Sequence, residues 1–561
     1  MDRAATPSAA RQRWAKLRPT PICLAALAAL GLALRTAELA RESLWLDEAG
    51  RAAIATLPAP AIPLAVRAIE LSPPLYHLLL AGWSRLVGDG DGALRLLSAL
   101  LGTAAIPLTY AVAHALADRR VALLTAALAT VTPLYVTYSR EVAMYALLLV
   151  LALLSTLALV ALLRHGITRW GAAAYLAATL ALLYTHYYGL FVVAAQNVAV
   201  LLWRWPQRAS PRLNPHSVPL PHVGGEGTSV PPPGTPPTTP LLHAGGEGSD
   251  KGAQPSWAQW WALQWGLALG FAPWVPVLWG QTRLAASVDD WAAPHVLDAL
   301  GGLGLAFTVG PLAGVPAALA LAAFLPAVVL GLGALRARPL ALLVAGGYLL
   351  VPLALALLAA YPLHAFRERG FIAVAFAPQL VVAAGLVALL APPSGAPAIV
   401  RRLGPPLGAL YGALLLALLA HGALAAVAEP KESWRAVAAR INLLARDDDV
   451  IYLLHYASAL PLDRYLARPL ERRGLPADFT WARGFATRYW LEPADLDAPL
   501  AADRASGRRV WAVLSHADGR GDSLLLEYLD RHYRRVLRED FYGVRLGLWE
   551  PHQAALTGVA P

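Results

Sequence analysis

The sequence predicts a polytopic α-helical membrane protein that carries a small α/β domain at its C-terminus. Of the 561 residues, 57% are apolar and only 15% are charged, and the mean hydropathy is +0.50. Soluble proteins have roughly 45–50% apolar and about 25% charged residues. Apolar runs of about 18 or more residues recur along the chain, which is the length that a helix needs to cross a bilayer. From Glu429 onward the sequence is polar, and helical and strand patterns alternate.

The apolar runs predict about eleven membrane-spanning helices. The predicted spans are residues 21–41, 93–116, 121–138, 143–163, 169–185, 188–203, 257–280, 312–335, 340–360, 371–390 and 405–427. One further apolar piece, residues 73–87, has only about 15 residues and is short for a span. If it lies along the membrane surface, the arginines of the short loops fall on the cytoplasmic side, as the positive-inside rule requires. The rule therefore predicts a cytoplasmic N-terminus and an extracytoplasmic C-terminus.

The net charge of +10 does not indicate nucleic-acid binding, because the basic residues lie mostly in short loops and near the C-terminus. That distribution suits membrane topology and anionic lipid head groups. Cys23 is the only cysteine, which excludes an intrachain disulfide. The first apolar run follows basic residues, as in a signal peptide, but it is long and no small-residue cleavage site follows. It is therefore predicted to be an uncleaved first span.

Composition divides the chain into a membrane part and flanking segments. The predicted units are a cytoplasmic N-terminal tail (1–20), a transmembrane domain (21–428) with an extracytoplasmic loop of surface helices (42–92) and a disordered Pro/Gly-rich cytoplasmic loop (206–256), and an extracytoplasmic α/β domain (429–561). The predicted elements of the last unit are helices at 434–444 and 524–536 and strands at 450–454, 510–514 and 544–549. It has no Walker loop and no Gly-x-Gly-x-x-Gly motif, so its sequence gives no signal for nucleotide chemistry.

Two adjacent carboxylates, Asp47 and Glu48, follow the first apolar run. Carboxylates beside hydrocarbon are costly unless they face water, a partner or a substrate. They could form a helix cap or an interfacial charge pair. They could also supply a general base and a partner that orients substrate or holds a cation.

Glu141 lies in a short loop, residues 138–145, on the same predicted side of the membrane. The loop is too short to carry its acid far from the protein, so Glu141 is expected to face a cavity. Pairing with Arg140 or Arg35 is the structural alternative.

Three further clusters fall on that side. Tyr76 and His77 follow two prolines, His186 lies among Tyr184, Tyr187 and Tyr188, and Arg369 precedes a predicted span. The aromatic residues could bind a sugar or belong to the interfacial aromatic belt. Arg369 could bind a phosphate, because a guanidinium matches phosphate oxygens, or form a salt bridge with Glu368.

Several short motifs occur in a characteristic order along the membrane part. They are WLDEA (45–49), PPLY (73–76), LRLLSAL (94–100), YSRE (138–141) with MY (144–145), YTHY (184–187), FRER (366–369) and WR (434–435). Together they resemble the bacterial membrane glycosyltransferases of the dolichyl-phosphate-mannose–protein mannosyltransferase superfamily, which have a GT-C fold and are similar to glycosyltransferase family 39. Two departures stand out. Ser72 replaces the His that often precedes the proline pair, and Val142-Ala143 replaces the usual Ala-Arg, with Arg140 before the acid instead.

The resemblance implies a reaction on a polyprenyl-phosphate-linked sugar at the outer face of a bacterial cytoplasmic membrane, with inversion at the anomeric carbon. It implies that Asp47 is the general base, that Glu48 and Glu141 position a substrate or a divalent cation, and that Arg369 stabilises the departing phosphate. The metal requirement stays open, as do the sugar and the acceptor, which could be a glycan, a lipid or a protein. The candidate substrate-binding residues are Tyr76, His77, Arg140, Tyr145, His186, Tyr187 and Arg369.

Two other classes of protein were weighed. A transporter or flippase of lipid-linked sugars would show broken helices in an internal repeat and charges within the membrane. No repeat is visible, and the candidate charges lie at one predicted face. If the chain were a structural or assembly protein, there would be no reason for acidic residues in two separate outer loops. Convergence of Asp47 and Glu141 in one cavity, within about 10 Å, would favour an enzyme.

Overall fold

The computed structural model describes residues 19–204, 256–286, 295–363, 366–478, 491–516 and 519–552. The predicted N-terminal tail and the predicted loop 206–256 lie almost entirely outside the described residues. The helices of the membrane domain are α1 (Pro19–Thr36), α2 (Leu46–Ala55), α3 (Ile62–Ile69), α4 (Leu75–Val87), α5 (Asp91–Leu116), α6 (Arg119–Val131), α7 (Pro133–Tyr138), α8 (Tyr145–His165), α9 (Arg169–Leu183), α10 (Tyr188–Arg204), α11 (Trp257–Phe271), α12 (Val275–Ala286), α13 (Val296–Phe307), α14 (Ala317–Leu335), α15 (Pro339–Leu363), α16 (Phe376–Leu390) and α17 (Ala398–Ala428).

Within the described part of the chain, six helical stretches are long and apolar enough to cross a bilayer. They are Asp91–Leu116, Tyr145–His165, Trp257–Arg283, Ala317–Leu335, Pro339–Ala360 and Ala398–Ala428. Five shorter apolar helices accompany them, at Thr20–Thr36, Arg169–Leu183, Tyr188–Arg204, Val296–Phe307 and Phe376–Leu390. The helical membrane architecture is confirmed, whereas the number of spans stays a prediction.

Two helical segments differ from the sequence prediction. The predicted span 121–138 is divided between α6 and α7, because Pro133 lacks an N–H group and Thr132 before it is extended, with φ −65° and ψ 122°. The apolar helix α13 was not predicted. Its twelve residues contain three glycines, Gly301, Gly302 and Gly304, and they follow a polar stretch. Both differences matter, because α7 and α13 form walls of the cavity described below.

The short apolar piece at 73–87 forms α4, which has 13 residues and begins after Pro74. One face of α4 buries Tyr76, His77 and Leu80. The opposite face exposes Leu78, Leu79 and Leu86. This two-faced helix is too short to span a bilayer, and its apolar exposed face is what a helix at a membrane surface requires.

The C-terminal domain contains α18 (Trp434–Leu444), β1 (Val450–Leu454), α19 (Ala459–Tyr465), β2 (Glu471–Gly474), α20 (Ala494–Ala505), β3 (Val510–Leu514), α21 (Gly519–His532), β4 (Tyr533–Phe541) and β5 (Val544–Pro551). The sheet order is β2-β1-β3-β5-β4. Strand β1 is parallel to β2 and β3, and β5 is antiparallel to β3 and β4. One apolar cluster lies on each face of the sheet. The predicted α/β domain and its three predicted strands are therefore confirmed.

The predicted helix 524–536 was wrong at its end. The helix α21 stops at His532, and the arginine-rich residues that follow form the edge strand β4. Exposed Arg534 and Arg535 on β4 are typical of an edge strand, where charges block pairing with another chain. In the sequence, the charged residues of β4 look like a continuation of the amphipathic helix before them, and the predicted helix was therefore too long.

Helices α14 and α16 cross at two glycines. A Cβ added to Gly331 would overlap the carbonyl oxygen of Val381, and one added to Gly385 would overlap that of Ala327. In the same helix α14, a Cβ on Gly333 would meet nothing within 4 Å. Small residues let membrane helices approach this closely.

We expect Gly331→Ala to destabilise the membrane domain by about 1–3 kcal/mol, since the crossing must open to admit a methyl group. The matched variant Gly333→Ala should be neutral or slightly stabilising, because alanine favours the helix. Thermal unfolding of the purified protein in detergent measures both. Equal melting temperatures for the two variants would contradict the proposed close crossing.

Candidate active site

The acid pair Asp47-Glu48 lies in the first turn of α2. Carboxylates are favourable there, because the N-terminus of a helix carries a partial positive charge. Consecutive residues of a helix point in directions about 100° apart. The two acids therefore enter different environments.

Glu48 is fully buried and ion-paired with Arg95 of α5. Its Oε1 accepts from Arg95 Nε at 2.8 Å and from the backbone N–H of Val142 at 2.8 Å, and its Oε2 accepts from Arg95 Nη2. Arg95 also donates to the carbonyls of Leu39, Glu42 and Ser43. Glu48 thus joins the start of α2 to α5 and to the loop of Glu141.

Asp47 keeps a third of its side chain exposed and lies between two arginines. Its Oδ2 is 3.3 Å from Arg51 Nη2 and 3.6 Å from Arg369 Nη1. Arg51 lies one turn along α2, is 4% exposed, and is 3.2 Å from Glu70 Oε1. The carboxylate of Asp47 is therefore accessible to solvent, and two arginines fix its position.

Electrostatic interactions keep these groups charged. Burial disfavours the Glu70 carboxylate, but Arg51 and His77 outweigh that cost and lower the pKa of Glu70 to about 2. Burial likewise opposes the charge on Arg51, but Glu70 and Asp47 outweigh it and raise the pKa of Arg51. The nearby Tyr145 raises the pKa of Arg369. Burial opposes this rise, and Asp47 adds to it.

Arg369 packs against a cluster of aromatic side chains. The ring of Tyr145 is 4.8 Å from Tyr138 and 5.6 Å from His186, measured between centroids. The guanidinium of Arg369 lies 5.5 Å from the Tyr145 ring centroid, a cation–π distance. Burial, and then the nearby Arg369, lowers the pKa of His186 to about 3, so this imidazole is neutral. Its Nδ1 accepts from the backbone N–H of Tyr188 at 3.1 Å.

Glu141 pairs with a lysine from the connector that leads into the C-terminal domain. Lys431 Nζ donates to Glu141 Oε1 at 2.7 Å and lies 5.7 Å from the Trp45 ring centroid. Burial opposes the charge on Lys431, but Glu141 outweighs it and raises the pKa of the lysine. The alternative, a pairing of Glu141 with Arg140 or Arg35, is not observed, because both arginines donate to carbonyls of α1 and its vicinity.

Several of these groups, namely Trp45, Tyr138, Glu141, Arg369 and Lys431, line a cavity of about 530 Å³ between the membrane domain and the C-terminal domain. We call it the interdomain cavity, and its lining residues are Trp45, Pro133, Leu134, Thr137, Tyr138, Glu141, Gly302, Ala306, Gly310, Pro311, Leu312, Glu368, Arg369, Gly422, Ala426, Glu429, Pro430, Lys431, Glu432 and Tyr542. Glu141 lines the cavity together with Arg369, which Asp47 contacts. The cavity thus has Glu141 in its lining, and Asp47 adjoins it through Arg369.

The other predicted substrate-binding residues divide into two groups. Tyr76 and His77 are buried beneath the site, where Tyr76 Oη is 3.3 Å from Ser98 Oγ and His77 Nε2 is 3.7 Å from Glu70 Oε1. Arg140 and Tyr187 point away from Asp47. Arg140 donates to the carbonyl of Ala37 at 2.7 Å, and Tyr187 accepts from Trp274 Nε1 at 3.1 Å.

Sequence reasoning missed several charged or aromatic residues of the site, namely Arg51, Glu70, Arg95, Lys431, Glu432 and Tyr542. The i,i+4 spacing of Asp47 and Arg51 on a helix was a usable signal. The contact of Glu141 with Lys431 could not be predicted from the sequence, because 290 residues separate them.

The candidate metal ligands Asp47, Glu48 and Glu141 do not form a shared ligand set. Each is already paired with a cation, which is an arginine for the first two and Lys431 for the third. In the part of the chain that the structure describes, no group of three or more His, Cys, Asp or Glu residues is arranged to hold a metal ion. The residues present therefore do not fit a divalent cation.

A histidine of the C-terminal domain is joined to the start of α2. His516 follows β3 with φ +56°, and its Nε2 is 3.0 Å from Glu432 Oε1. The other oxygen of Glu432 accepts from the backbone N–H of Leu46 at 3.1 Å. The hydrogen bond to Glu432 raises the pKa of His516 against an opposing effect of burial, and Asp47 adds to the rise. His455 also lies nearby, and burial, with a smaller contribution from His516, lowers its pKa.

We expect this contact to make stability depend on pH. Because the pKa of His516 is higher in the folded state, its contribution is complete below about 6.5, the unfolded value, and is lost as the pH rises through the folded value. The melting temperature should fall as the pH rises from about 6.5 through the folded pKa of His516. His516→Gln should remove the part of this fall that His516 causes. His421→Gln is the control, since His421 contacts only the carbonyl of Ala313 among the described residues. An unchanged pH profile in His516→Gln would contradict the assignment.

The comparisons with known proteins agree with this architecture. The family model described as dolichyl-phosphate-mannose-protein mannosyltransferase matches residues 72–214. ArnT from Cupriavidus metallidurans in the apo state superposes with a TM-score of 0.54 at 15% identity, over 95% of this chain and 98% of that chain. ArnT from the same organism bound to undecaprenyl phosphate gives 0.53 at 14% identity, over 93% and 97%. No curated protein matches.

The fold is thus that of the GT-C membrane glycosyltransferases, embedded in a membrane through its apolar helices. The resemblance that the motifs predicted, to the superfamily of dolichyl-phosphate-mannose–protein mannosyltransferases, is confirmed.

Proposed function

We propose that this protein is an inverting glycosyltransferase that moves a sugar from a polyprenyl-phosphate donor to an acceptor hydroxyl. The reaction would take place on the outer face of the bacterial cytoplasmic membrane, where the C-terminal domain would also lie. The observation that carries the proposal is the contact of the solvent-reached carboxylate of Asp47 with Arg369, at the edge of a cavity that apolar membrane helices also line.

In the proposed reaction, Asp47 takes the proton of the acceptor hydroxyl as its oxygen attacks the anomeric carbon. A new C–O bond forms on one face of the sugar, and the bond to the lipid phosphate oxygen breaks on the other. The bonding electrons leave with the phosphate, and the configuration inverts. Arg369 stabilises the charge that develops on the phosphate through charge-assisted hydrogen bonds.

The remaining acids would act on position rather than on protons. Glu48 fixes the start of α2, and with it the direction of Asp47, through Arg95 and the N–H of Val142. Glu141 holds Lys431 over the cavity. Arg51 and Glu70 fix the other side of the Asp47 carboxylate.

The character of the interdomain cavity supports an amphiphilic donor. The membrane domain contributes apolar lining residues, among them Pro133, Leu134, Ala306, Leu312 and Ala426. The loops and the connector contribute charged side chains to the same lining. A lipid-linked sugar needs both environments at once, hydrocarbon contact for the prenyl chain and polar partners for phosphate and sugar. That ArnT, with the same fold, binds undecaprenyl phosphate is consistent with such a donor.

The test uses the purified full-length protein in lipid nanodiscs with a panel of radiolabelled polyprenyl-phosphate sugars. We expect one donor to be consumed with release of polyprenyl phosphate, and the product to have the opposite anomeric configuration. In sealed vesicles, a flippase would move the labelled lipid between leaflets with the sugar bond intact. Movement without bond cleavage, for every donor, would contradict the proposal and favour the transporter.

A further inference from the structure

The C-terminal domain supplies one wall of the interdomain cavity. That wall consists of the connector, Glu429 to Glu432, and of Tyr542 in the turn between β4 and β5. Tyr542 is 57% exposed and lines the cavity, so its ring is accessible to a ligand there.

The turn that carries Tyr542 is held against the connector. Phe541 and Val544 pair across it, so that Tyr542 and Gly543 form a two-residue hairpin turn. The N–H of Ser433 donates to the carbonyl of Tyr542 at 3.0 Å. Gly543 has φ +73°, and a Cβ there would lie 2.8 Å from Glu432 Cγ. Glycine therefore allows both the turn and its close approach to the connector.

Two carboxylates of the cavity lining retain free acceptor capacity. Among the described residues, Glu368 makes no hydrogen bond or ion pair, and Glu429 only approaches Lys431, at 3.9 Å. Burial raises the pKa of Glu429, and Lys431 opposes the rise. The lining as a whole has four carboxylates against two cations, Arg369 and Lys431. Carboxylates with free oxygens accept hydrogen bonds from hydroxyl groups and repel an anion placed against them, whereas the donor phosphate would pair with Arg369.

The donor and the acceptor must occupy different sides of Asp47. The donor phosphate requires Arg369, and the prenyl chain requires the apolar walls of the membrane helices. The acceptor hydroxyl must reach Asp47 from the side that remains, which is the wall of the C-terminal domain. An aromatic ring beside carboxylates is the combination that binds sugar rings, by stacking and by hydrogen bonds from hydroxyls.

We propose that Tyr542, with Glu429 and Glu368, forms the acceptor subsite, and that the acceptor is an uncharged, hydroxyl-rich glycosyl group whose ring stacks on Tyr542. This inference rests on the proposed function. It assigns to the C-terminal domain the choice of the acceptor and leaves the donor to the membrane domain.

The first experiment compares Tyr542→Ala and Tyr542→Phe in nanodiscs with the donor that the wild type consumes. The acceptor probes are octyl glucoside, octyl galactoside and octyl mannoside, below their micelle concentrations. We expect Tyr542→Ala to raise the KM for the accepted glycoside about tenfold with little change in kcat, as the loss of one ring contact implies. Tyr542→Phe should keep the wild-type KM. Val536→Ala is the control, since Val536 is 47% exposed on the same hairpin but does not line the cavity.

The second experiment tests the charge of the acceptor. The neutral glycosides should accelerate donor consumption at least tenfold more than octyl glucuronide, and Glu429→Gln should reduce that preference. The subsite is refuted if Tyr542→Ala keeps the wild-type KM, if the glucuronide is preferred, or if no neutral glycoside accelerates consumption. Slow hydrolysis of the donor without acceptor should be unchanged in the control Val536→Ala, which does not line the cavity. A wild type that neither hydrolyses nor transfers any donor would instead refute the proposed function itself.

Discussion

Asp47→Asn should lower the rate of sugar transfer by about 10²–10⁴-fold, the usual effect of losing a general base. The amide has nearly the same shape as the carboxylate, so it still fits between Arg51 and Arg369. It cannot take a proton from the acceptor hydroxyl. Transfer from the purified lipid-linked donor, measured at saturating donor and acceptor, gives the effect on kcat.

The control for this variant is Asp298→Asn. Asp298 also lies in the first turn of a helix, α13, but it is exposed and does not line the cavity. It should transfer at the wild-type rate. Both variants should insert in the membrane and keep similar melting temperatures, because neither loses a buried group. Wild-type turnover by Asp47→Asn would remove Asp47 from the role of base.

The sequence predicted those features that depend on local patterns. Apolar runs placed the membrane helices, and the helix Trp434–Leu444 has the bounds that its periodicity indicated. Arg369 was singled out because it lies on the predicted outer side just before a span and because a guanidinium matches phosphate oxygens. The shared side of Asp47, Glu141 and Arg369 followed from the order of spans and loops.

Features that depend on tertiary contacts were not predictable in the same way. Asp47 and Glu48 are neighbours of equal chemistry, and only the packing of α2 against α5 decides which one Arg95 takes. The cavity wall formed by Lys431 and Tyr542 depends on how the C-terminal domain docks. Nothing local to residues 429–433 or to the β4–β5 turn reports that docking, although the turn itself carries a glycine signal.

The two acids of α2 lie in different environments, and this difference predicts another outcome for Glu48. Glu48→Ala leaves the buried guanidinium of Arg95, which is 3% exposed, without its carboxylate. Removing one partner of a buried ion pair costs about 3–5 kcal/mol. We therefore expect a large loss of unfolding free energy, measured by thermal or denaturant unfolding in detergent, where Asp47→Asn shows almost none.

The double variant Glu48→Leu with Arg95→Met tests the cause of that loss. Replacing both members of a buried pair by apolar residues is often close to neutral, so the double variant should be more stable than Glu48→Ala. Recovery should be incomplete, since Arg95 also satisfies the carbonyls of Leu39, Glu42 and Ser43. If Glu48 acts only by fixing α2, the correctly folded fraction of the double variant should retain measurable transfer, with a reduced kcat from a less well-oriented Asp47. Full stability with complete loss of transfer in Glu48→Ala would show the opposite, that Glu48 takes part in the chemistry and not only in its positioning.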